Sequence, residues 1–362
     1  MNHRWNRCDD FVSTQPFFGF AKDDSHLERV IVTNLYDTKV WSEKKKMFAP
    51  KSRYFSQYTV HPITASVTAA VPSALFHGIK KNFPQKDVAG IVVAFSPERF
   101  KYRLVEKIVR AAAEAQYRNY RLINVRDALF MGVAYAENVD MPIWSMCLFV
   151  IINEKDFHIT VYYRTDKGYL PRIEHVIPYD MEHPEEVVNR LKPLRLFLMD
   201  YHSVCAATYI KEEPLAILKQ IFGQKWFAAS MNDPDAFYHQ HLCIAGGVVK
   251  GRYLIGAEDM HYFNVIECCP YDFQVRDAHD EVLVQFFVAH QALPLERNGK
   301  ASSTSKYLLF YCRSSTNPEW FRMRTIIVDH RLETVQLQLK VDINCEYRLL
   351  IDGNEGMDYR PK

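Results

Sequence analysis

Glycine and proline are sparse in this chain, at 13 and 17 of 362 residues, and no low-complexity linker or internal repeat interrupts it. With 48% hydrophobic residues, that excludes a disordered protein and a linker-dominated one. No run approaches the ~18 consecutive apolar residues of a membrane helix. The first ten residues hold Arg4, Arg7, Asp9 and Asp10 and no apolar stretch, so no signal peptide is expected. Neither sign of charge is in excess: 45 Lys and Arg against 43 Asp and Glu leave a net +2. Without a concentrated basic surplus, nucleic acid and membrane surfaces are not expected partners. The one short basic run, residues 44–46, reads as a solvated turn. Eight cysteines never form Cys-x-x-Cys, so neither a disulfide framework nor a zinc site is expected. Several lie in apolar runs, where a reduced, buried thiol is the simple reading. A cytoplasmic location follows, with the nucleus as a second compartment.

The length predicts two or three domains. Short strands are expected at residues 17–20, 29–32 and 38–41, and a helix over 63–81, with Pro72 inside it as a kink or a late start. The continuous apolar run Val88–Phe95 reads as a strand buried on both faces of an α/β sheet. Ser96-Pro97-Glu98 then looks like a helix start, and Leu104, Ile108, Ala111, Ala112 and Ala115 mark one helical face. A second strand over 121–125 leads into a helix through Ala128, Leu129, Gly132, Val133 and Tyr135. Strand, helix, strand, helix is an α/β signature. A hairpin follows, with strands at 146–152 and 158–163 around the turn 153–156. Almost nothing is expected between 180 and a strand at 194–199, which precedes a helix over 214–222. After residue 266 short alternating segments dominate: 282–288, 307–311, 321–328, 335–341 and 347–351. In the fourth, Val335, Leu337, Leu339 and Val341 alternate with Gln336, Gln338 and Lys340, as in a half-buried strand. The expected fold class is therefore α/β followed by all-β, with domains over 1–258 and 259–362.

Three constellations invite chemistry and do not carry it. His239 and His241 could place two imidazoles on one side of a strand, but no third metal ligand is near in sequence. Cys268-Cys269 is a vicinal pair, for which packing is a simpler account than a redox switch. Asp200, His202 and Ser203 are the residue types of a hydrolase triad, yet near-adjacent positions cannot converge in nucleophile–base–orienter geometry. The aromatic residues (21 Tyr, 23 Phe, 5 Trp) read as core packing rather than base-stacking platforms.

The order of local sequences resembles the seventy-kilodalton heat-shock chaperone superfamily, including its larger hundred-and-ten-kilodalton class. Trp5-Asn6-Arg7-Cys8-Asp9-Asp10 and Gln15-Pro16-Phe17-Phe18 are similar to the segment after that family's first phosphate loop. Gly90-Ile91-Val92-Val93-Ala94-Phe95 resembles its strand ending in Val-Pro-Ala-Tyr-Phe. Asn124-Val125-Arg126-Asp127-Ala128 resembles its Ile-Ile-Asn-Glu-Pro-Thr, and Gly132-Val133-Ala134-Tyr135-Ala136 its Ala-Ile-Ala-Tyr-Gly. Met231-Asn232-Asp233-Pro234-Asp235 and Ile244-Ala245-Gly246-Gly247 resemble its Asn-Pro-Asp-Glu-Ala and Tyr-Gly-Ala-Ala run. Cys269-Pro270-Tyr271 looks like the start of its substrate-binding β-sandwich, and Lys340-Val341-Asp342-Ile343-Asn344 through Arg348-Leu349-Leu350-Ile351-Asp352 like its closing hairpin. The resemblance implies an actin-like ATPase domain, here incomplete, followed by a substrate-binding-like β-sandwich.

Departures from the family pattern fall on the chemistry. The first phosphate loop with its lysine would lie ahead of Met1, and the covering lobe and the helical lid have no counterpart. The second loop, Asp-Leu-Gly-Gly-Gly-Thr-Phe-Asp in the family, is Ile151-Ile152-Asn153-Glu154-Lys155-Asp156-Phe157-His158. Glycine lets backbone N–H groups approach phosphates closely, and all three are replaced. The magnesium-side acid becomes Ile151. On the adenosine side, Val-Gly-Gly-Ser-Thr-Arg-Ile-Pro becomes Met199-Asp200-Tyr201-His202-Ser203-Val204-Cys205-Ala206. Asp127 stands where the family has a catalytic glutamate, although a first-turn helix acid favoured by the macrodipole is the simpler account. The candidate site remnants are thus Asp127, with Asn153, Glu154, Lys155, Asp156, Asp200, Ser203, Gly246 and Gly247 for a nucleotide, and no metal ligands. No cofactor is expected; ATP with magnesium is the one implied if the family activity survives. The expectation is a non-hydrolysing, chaperone-like protein that binds unfolded polypeptides, other chaperones or co-chaperones. The rivals are an ATP-dependent foldase or nucleotide-exchange factor of the same family, a scaffold that uses the actin-like core as structure alone, and a partial product that folds poorly.

Overall fold

The computed structural model describes residues 17–22, 29–34, 58–62, 73, 76, 80, 88–95 and 104–358, except 118–119, 137, 140, 153–155, 179–182, 198–200, 209–215, 219, 222–225, 230–236, 255–257, 303–305, 316–318, 329–333 and 356. The fold is mixed α/β with mostly β-sheet. It divides into two units, Met1–Ser96 with Arg110–Ile266, and Pro97–Val109 with Glu267–Lys362.

The α/β unit holds two five-stranded sheets. β1 (Phe17–Lys22), β2 (Arg29–Asn34), β3 (Tyr58–Pro62), β4 (Val88–Phe95) and β5 (Tyr120–Asn124) form the first, in the order β3-β1-β2-β4-β5. β1 is antiparallel to β2 and β3, whereas β2, β4 and β5 run parallel. Parallel neighbours need a crossover, and α1 (Leu104–Glu114) supplies it between β4 and β5. Ile108, Ala111, Ala112 and Ala115 are buried, as the sequence predicts, and Val105 joins them. The strand expected at 38–41 and the helix start at 96–98 lie outside the described residues, as does most of 63–81, of which 73, 76 and 80 are helical. β5 stops at Asn124, one residue short of the expected end. The Asn124 side chain caps the next helix, α2 (Val125–Ala136), by accepting the N–H of Arg126 at 3.0 Å.

The second sheet comprises β6 (Met146–Ile152), β7 (Asp156–Thr165), β8 (Gly168–Pro178), β9 (Tyr201–Thr208) and β10 (Trp226–Ala229), in the order β10-β9-β6-β7-β8. β6, β7 and β8 make an antiparallel meander, and β6 continues in parallel into β9 and β10. Both faces of β6 are buried: Cys147, Phe149 and Ile151 join one core, Leu148, Val150 and Ile152 another. That accounts for its unbroken apolar run. Two expectations need correction here. Residues 184–193 are helical and 194–197 continue that helix rather than starting a strand, because α3 (Pro184–Phe197) covers both. Proline fits a first helical position, Glu185 and Glu186 suit the first turn, and Val188 and Leu191 pack three residues apart against the second core. A short apolar run such as 194–199 does not by itself distinguish strand from helix.

The helix α4 (Phe237–Leu254) places His239 and His241 on a helix rather than a strand, and positions two apart on a helix do not share a face. α4 lies against β1, β2 and β4, while α2 also packs on β9 and β10, so each helix bridges to the other half of the unit. They cross very closely. A Cβ added at Gly132 would stand 2.0 Å from the Leu242 carbonyl oxygen, and one at Gly246 would stand 1.8 Å from that of Ala128.

The second unit is all-β apart from its short N-terminal piece. β11 (Tyr271–Arg276), β12 (Val282–Phe286), β13 (Leu295–Ser302), β14 (Tyr307–Ser314), β15 (Phe321–Ile327), β16 (Thr334–Val341), β17 (Tyr347–Ile351), β18 (Asn354–Glu355) and β19 (Met357–Asp358) form two antiparallel sheets. Their orders are β12-β11-β14-β15-β19 and β13-β16-β17-β18. One core lies between them, with Phe273 stacked on Phe310 at 5.5 Å and both meeting Tyr347. Val335, Leu337, Leu339 and Val341 point into this core, as their alternation predicts. β12 ends two residues earlier than expected, and β11 and β13 are strands the sequence reading did not mark.

Cys269, Cys312 and Cys345 belong to the same core. Burial pushes the thiols of Cys269 and Cys312 up to about 12 and raises Cys345 well above its ordinary value; Cys243 on α4 also reaches about 12. Because the thiolate is the nucleophile, Cys243, Cys269 and Cys312 should react about 10³-fold more slowly than free thiols at pH 8, and Cys345 should also be slowed. Iodoacetamide labelling followed by peptide mapping is expected to mark half-buried Cys268 before these four, which label only in denaturant. Fast native labelling of Cys312 would show that the core opens.

Candidate functional site

The polar cluster closest to the expected chemistry gathers around the start of α2. Asp127 is buried in the first turn of that helix. The Tyr162 hydroxyl, from the α2-facing side of β7, donates to Asp127 Oδ1 at 2.6 Å. The Arg126 guanidinium reaches the same oxygen at 3.3 and 3.4 Å, and pairs with Glu174 on β8. Phe130, one helical turn along α2, stacks on Tyr162 with ring centroids 4.0 Å apart. Burial, followed by the charge of Asp127, holds the Tyr162 hydroxyl well above the usual phenol range, so it stays a protonated donor. This arrangement ties α2 to the meander. Its aspartate oxygen is already shared by a phenol and a guanidinium, which is how a buried acid is satisfied rather than how a base is presented to water.

Of the other expected residues, Asp156, Ser203, Gly246 and Gly247 are among those described. Asn153, Glu154, Lys155 and Asp200 lie outside the described residues. Asp156 is the first residue of β7 rather than a turn residue; it is buried and pairs with His158 Nε2 at 3.2 Å. Ser203 lies inside β9, opposite Cys147 of β6. Gly246 and Gly247 are buried in the middle of α4, where Gly246 serves the helix crossing. Among the described residues no group of three or more His, Cys, Asp or Glu could hold a metal ion.

A different kind of site lies in the all-β unit. β12 pairs with β11 and has no partner on its outer side among the described residues. Its sequence, Val282-Leu283-Val284-Gln285-Phe286, carries no charge, and Val282 is 49% exposed. Phe287, just beyond it, is 60% exposed and stands 5.9 Å from the Arg313 guanidinium, which also lies over Trp320 at 4.8 Å. Asp272 holds this corner together. Its Oδ1 accepts the N–H groups of Val288 and Ala289 at 2.9 and 3.0 Å, and its Oδ2 takes Arg313 at 3.2 Å. At the other end of β12, Asp280 accepts the Tyr311 hydroxyl and Arg276, each at 2.8 Å. The Tyr311 hydrogen bond, then the charge of Arg276, keeps the Asp280 carboxyl below its ordinary value. Both ends of this edge strand are therefore pinned by carboxylates.

No protein-family model matches the chain, and no curated protein matches it. The sequence reading did not single out Arg126, Tyr162 and Glu174. The Arg126–Asp127 pair at a helix start was a visible signal, but Tyr162 is 35 positions from its partner and only the fold joins them. The apolar edge was readable in part, since 282–288 was marked as a short alternating segment.

Proposed function

We propose that this protein binds extended, apolar stretches of unfolded polypeptide, as a chaperone-like or co-chaperone protein that does not turn over ATP. An α/β unit followed by an all-β unit supports that reading, since this is the order the chaperone resemblance implies. Within the proposal the first unit is a degenerate actin-like core and the second a substrate-binding-like sandwich, with other chaperones as further partners. The observation that carries the reading is the edge strand β12. An exposed strand edge can take an added strand by main-chain hydrogen bonds, with side-chain contacts giving selectivity. Proteins usually guard such edges with charge. The edge strand β13 does so, with exposed Glu296, Arg297 and Lys300, whereas β12 has none.

The test is titration of the full chain with fluorescent heptapeptides, apolar and acidic. Apolar peptides are expected to bind saturably. Val282→Lys is expected to weaken them by about tenfold or more while leaving the circular dichroism spectrum unchanged, because a charge on the edge disfavours strand addition. Absence of saturable binding up to millimolar peptide would overturn the reading and favour a scaffold role.

A further inference from the structure

Arg164 lies on β7 two residues beyond Tyr162, on the same strand face. It is 4% exposed, yet no acidic side chain pairs with it among the described residues. Its Nη1 is fully buried and has no hydrogen-bond partner. The contrast with Arg126 in the same unit is direct, because that guanidinium is answered by both Asp127 and Glu174. Around Arg164 there are aromatic faces instead: Tyr169 at 4.9 Å, which is fully buried, and Tyr262 at 6.0 Å, which is 53% exposed. Ring faces offset only part of the desolvation cost of a buried cation.

The two rings differ in how firmly they are held. Tyr169 is clamped by backbone hydrogen bonds: its N–H donates to the Asn264 carbonyl, and its carbonyl accepts from Ile266, both at 2.8 Å. The preceding Gly168 has a φ of +137° and sits so close to Asn264 that a Cβ would stand 2.4 Å from its carbonyl oxygen, so the floor cannot easily shift. Tyr262 ends the short 3₁₀ turn Glu258–Tyr262 and meets the ring of its neighbour His261 in a tilted contact at 3.8 Å. Unlike Tyr169, it lies outside the sheet and faces solvent. The charges nearest in sequence, Asp166 and Lys167, are exposed and opposite in sign.

We propose that Arg164 anchors an anion site that takes a carboxylate or phosphate group, admitted past the Tyr262 ring. The planar guanidinium pairs with either group through parallel N–H donors, and exclusion of water strengthens the pair. The site is separate from the peptide edge proposed above and does not depend on it.

The experiment is thermal unfolding of the full chain in potassium phosphate or potassium acetate, against potassium chloride at equal ionic strength. Wild type is expected to show a rise in midpoint with one or both anions, growing with the logarithm of concentration above the dissociation constant. Arg164→Met is expected to lose that rise, and Arg164→Lys to weaken the affinity by about tenfold. Tyr262→Ala removes the cover and keeps the cation, so its affinity for the same anion must differ from wild type. That variant decides the matter if Arg164→Met fails to fold. No specific shift in wild type, an equal shift in folded Arg164→Met, or unchanged affinity in Tyr262→Ala would each overturn the proposal.

Discussion

Gly246→Ala is expected to destabilise the α/β unit by about 3 kcal/mol or more, although alanine is the better helix former by about 1 kcal/mol. The new Cβ would stand 1.8 Å from the carbonyl oxygen of Ala128, and a backbone atom of a packed helix cannot rotate aside as a side-chain tip can. α2 and α4 would have to separate along their crossing. That loosens the core around Phe130, Met131 and Val249, in which close packing is worth most. Gly132→Ala should act in the same way, because its Cβ would meet Leu242 at 2.0 Å. The double variant should cost less than the sum of the two, since one separation relieves both clashes. Gly353→Ala is the control: nothing lies within 4 Å of the added atom, and only the φ of +82° opposes it. Its expected cost is about 1 kcal/mol. Urea unfolding followed by circular dichroism measures all four. An unchanged midpoint for Gly246→Ala would mean that the helices do not cross at this distance in solution.

How legible each part was in the sequence follows from the range of the interactions that build it. β16 could be read directly, because one face is buried and the other solvated along its length. β4 and α2 were also readable, the first as an apolar run and the second from its period, although its Asn124 cap was read as part of the preceding strand. β13 was not, because a strand of Leu-Glu-Arg-Asn-Gly-Lys-Ala-Ser has little apolar alternation. Its inward contact is made partly by a missing side chain, Gly299, over which Val284 and Phe286 of β12 pack. α3 was misplaced because its last turn is apolar and its first turn polar, so the run alone resembled a short strand. The site divides along the same line. A first-turn acid at Asp127 is a local feature and was visible. That its oxygen is shared with Tyr162 and Arg126 depends on how β7 is placed against α2, and no spacing in the sequence encodes that.

The protein is expected neither to bind Mg·ATP at micromolar concentration nor to release phosphate from it. In-line transfer of a γ-phosphoryl group needs positioned phosphate donors, metal and water, and most of the rate comes from that preorganisation. If the actin-like reading holds, the phosphate-facing turn is 153–155, where Asn153, Glu154 and Lys155 put side chains in place of the three glycines, and one of them is an acid beside a polyphosphate. On the same reading Ile151 replaces the magnesium-side acid, and its side chain is packed into the core. Asp156 pairs with His158, and Asp127 shares its oxygen with Tyr162 and Arg126, so orienting water would first cost those bonds. Each lost donor or positioned charge is worth ~10²–10³ in rate, and together they should leave nothing above background. Restoring glycine at 153, 154 and 155 should not rescue turnover, because Asp127 stays engaged and Ile151 stays apolar. Isothermal titration with Mg·ATP and a phosphate-release assay on the purified chain provide the test, with Asp127→Asn as the shape-preserving variant. A micromolar dissociation constant, or release that disappears in Asp127→Asn, would show that Asp127 leaves Tyr162 to meet a nucleotide. The non-hydrolysing reading would then fail at the residue on which it most depends.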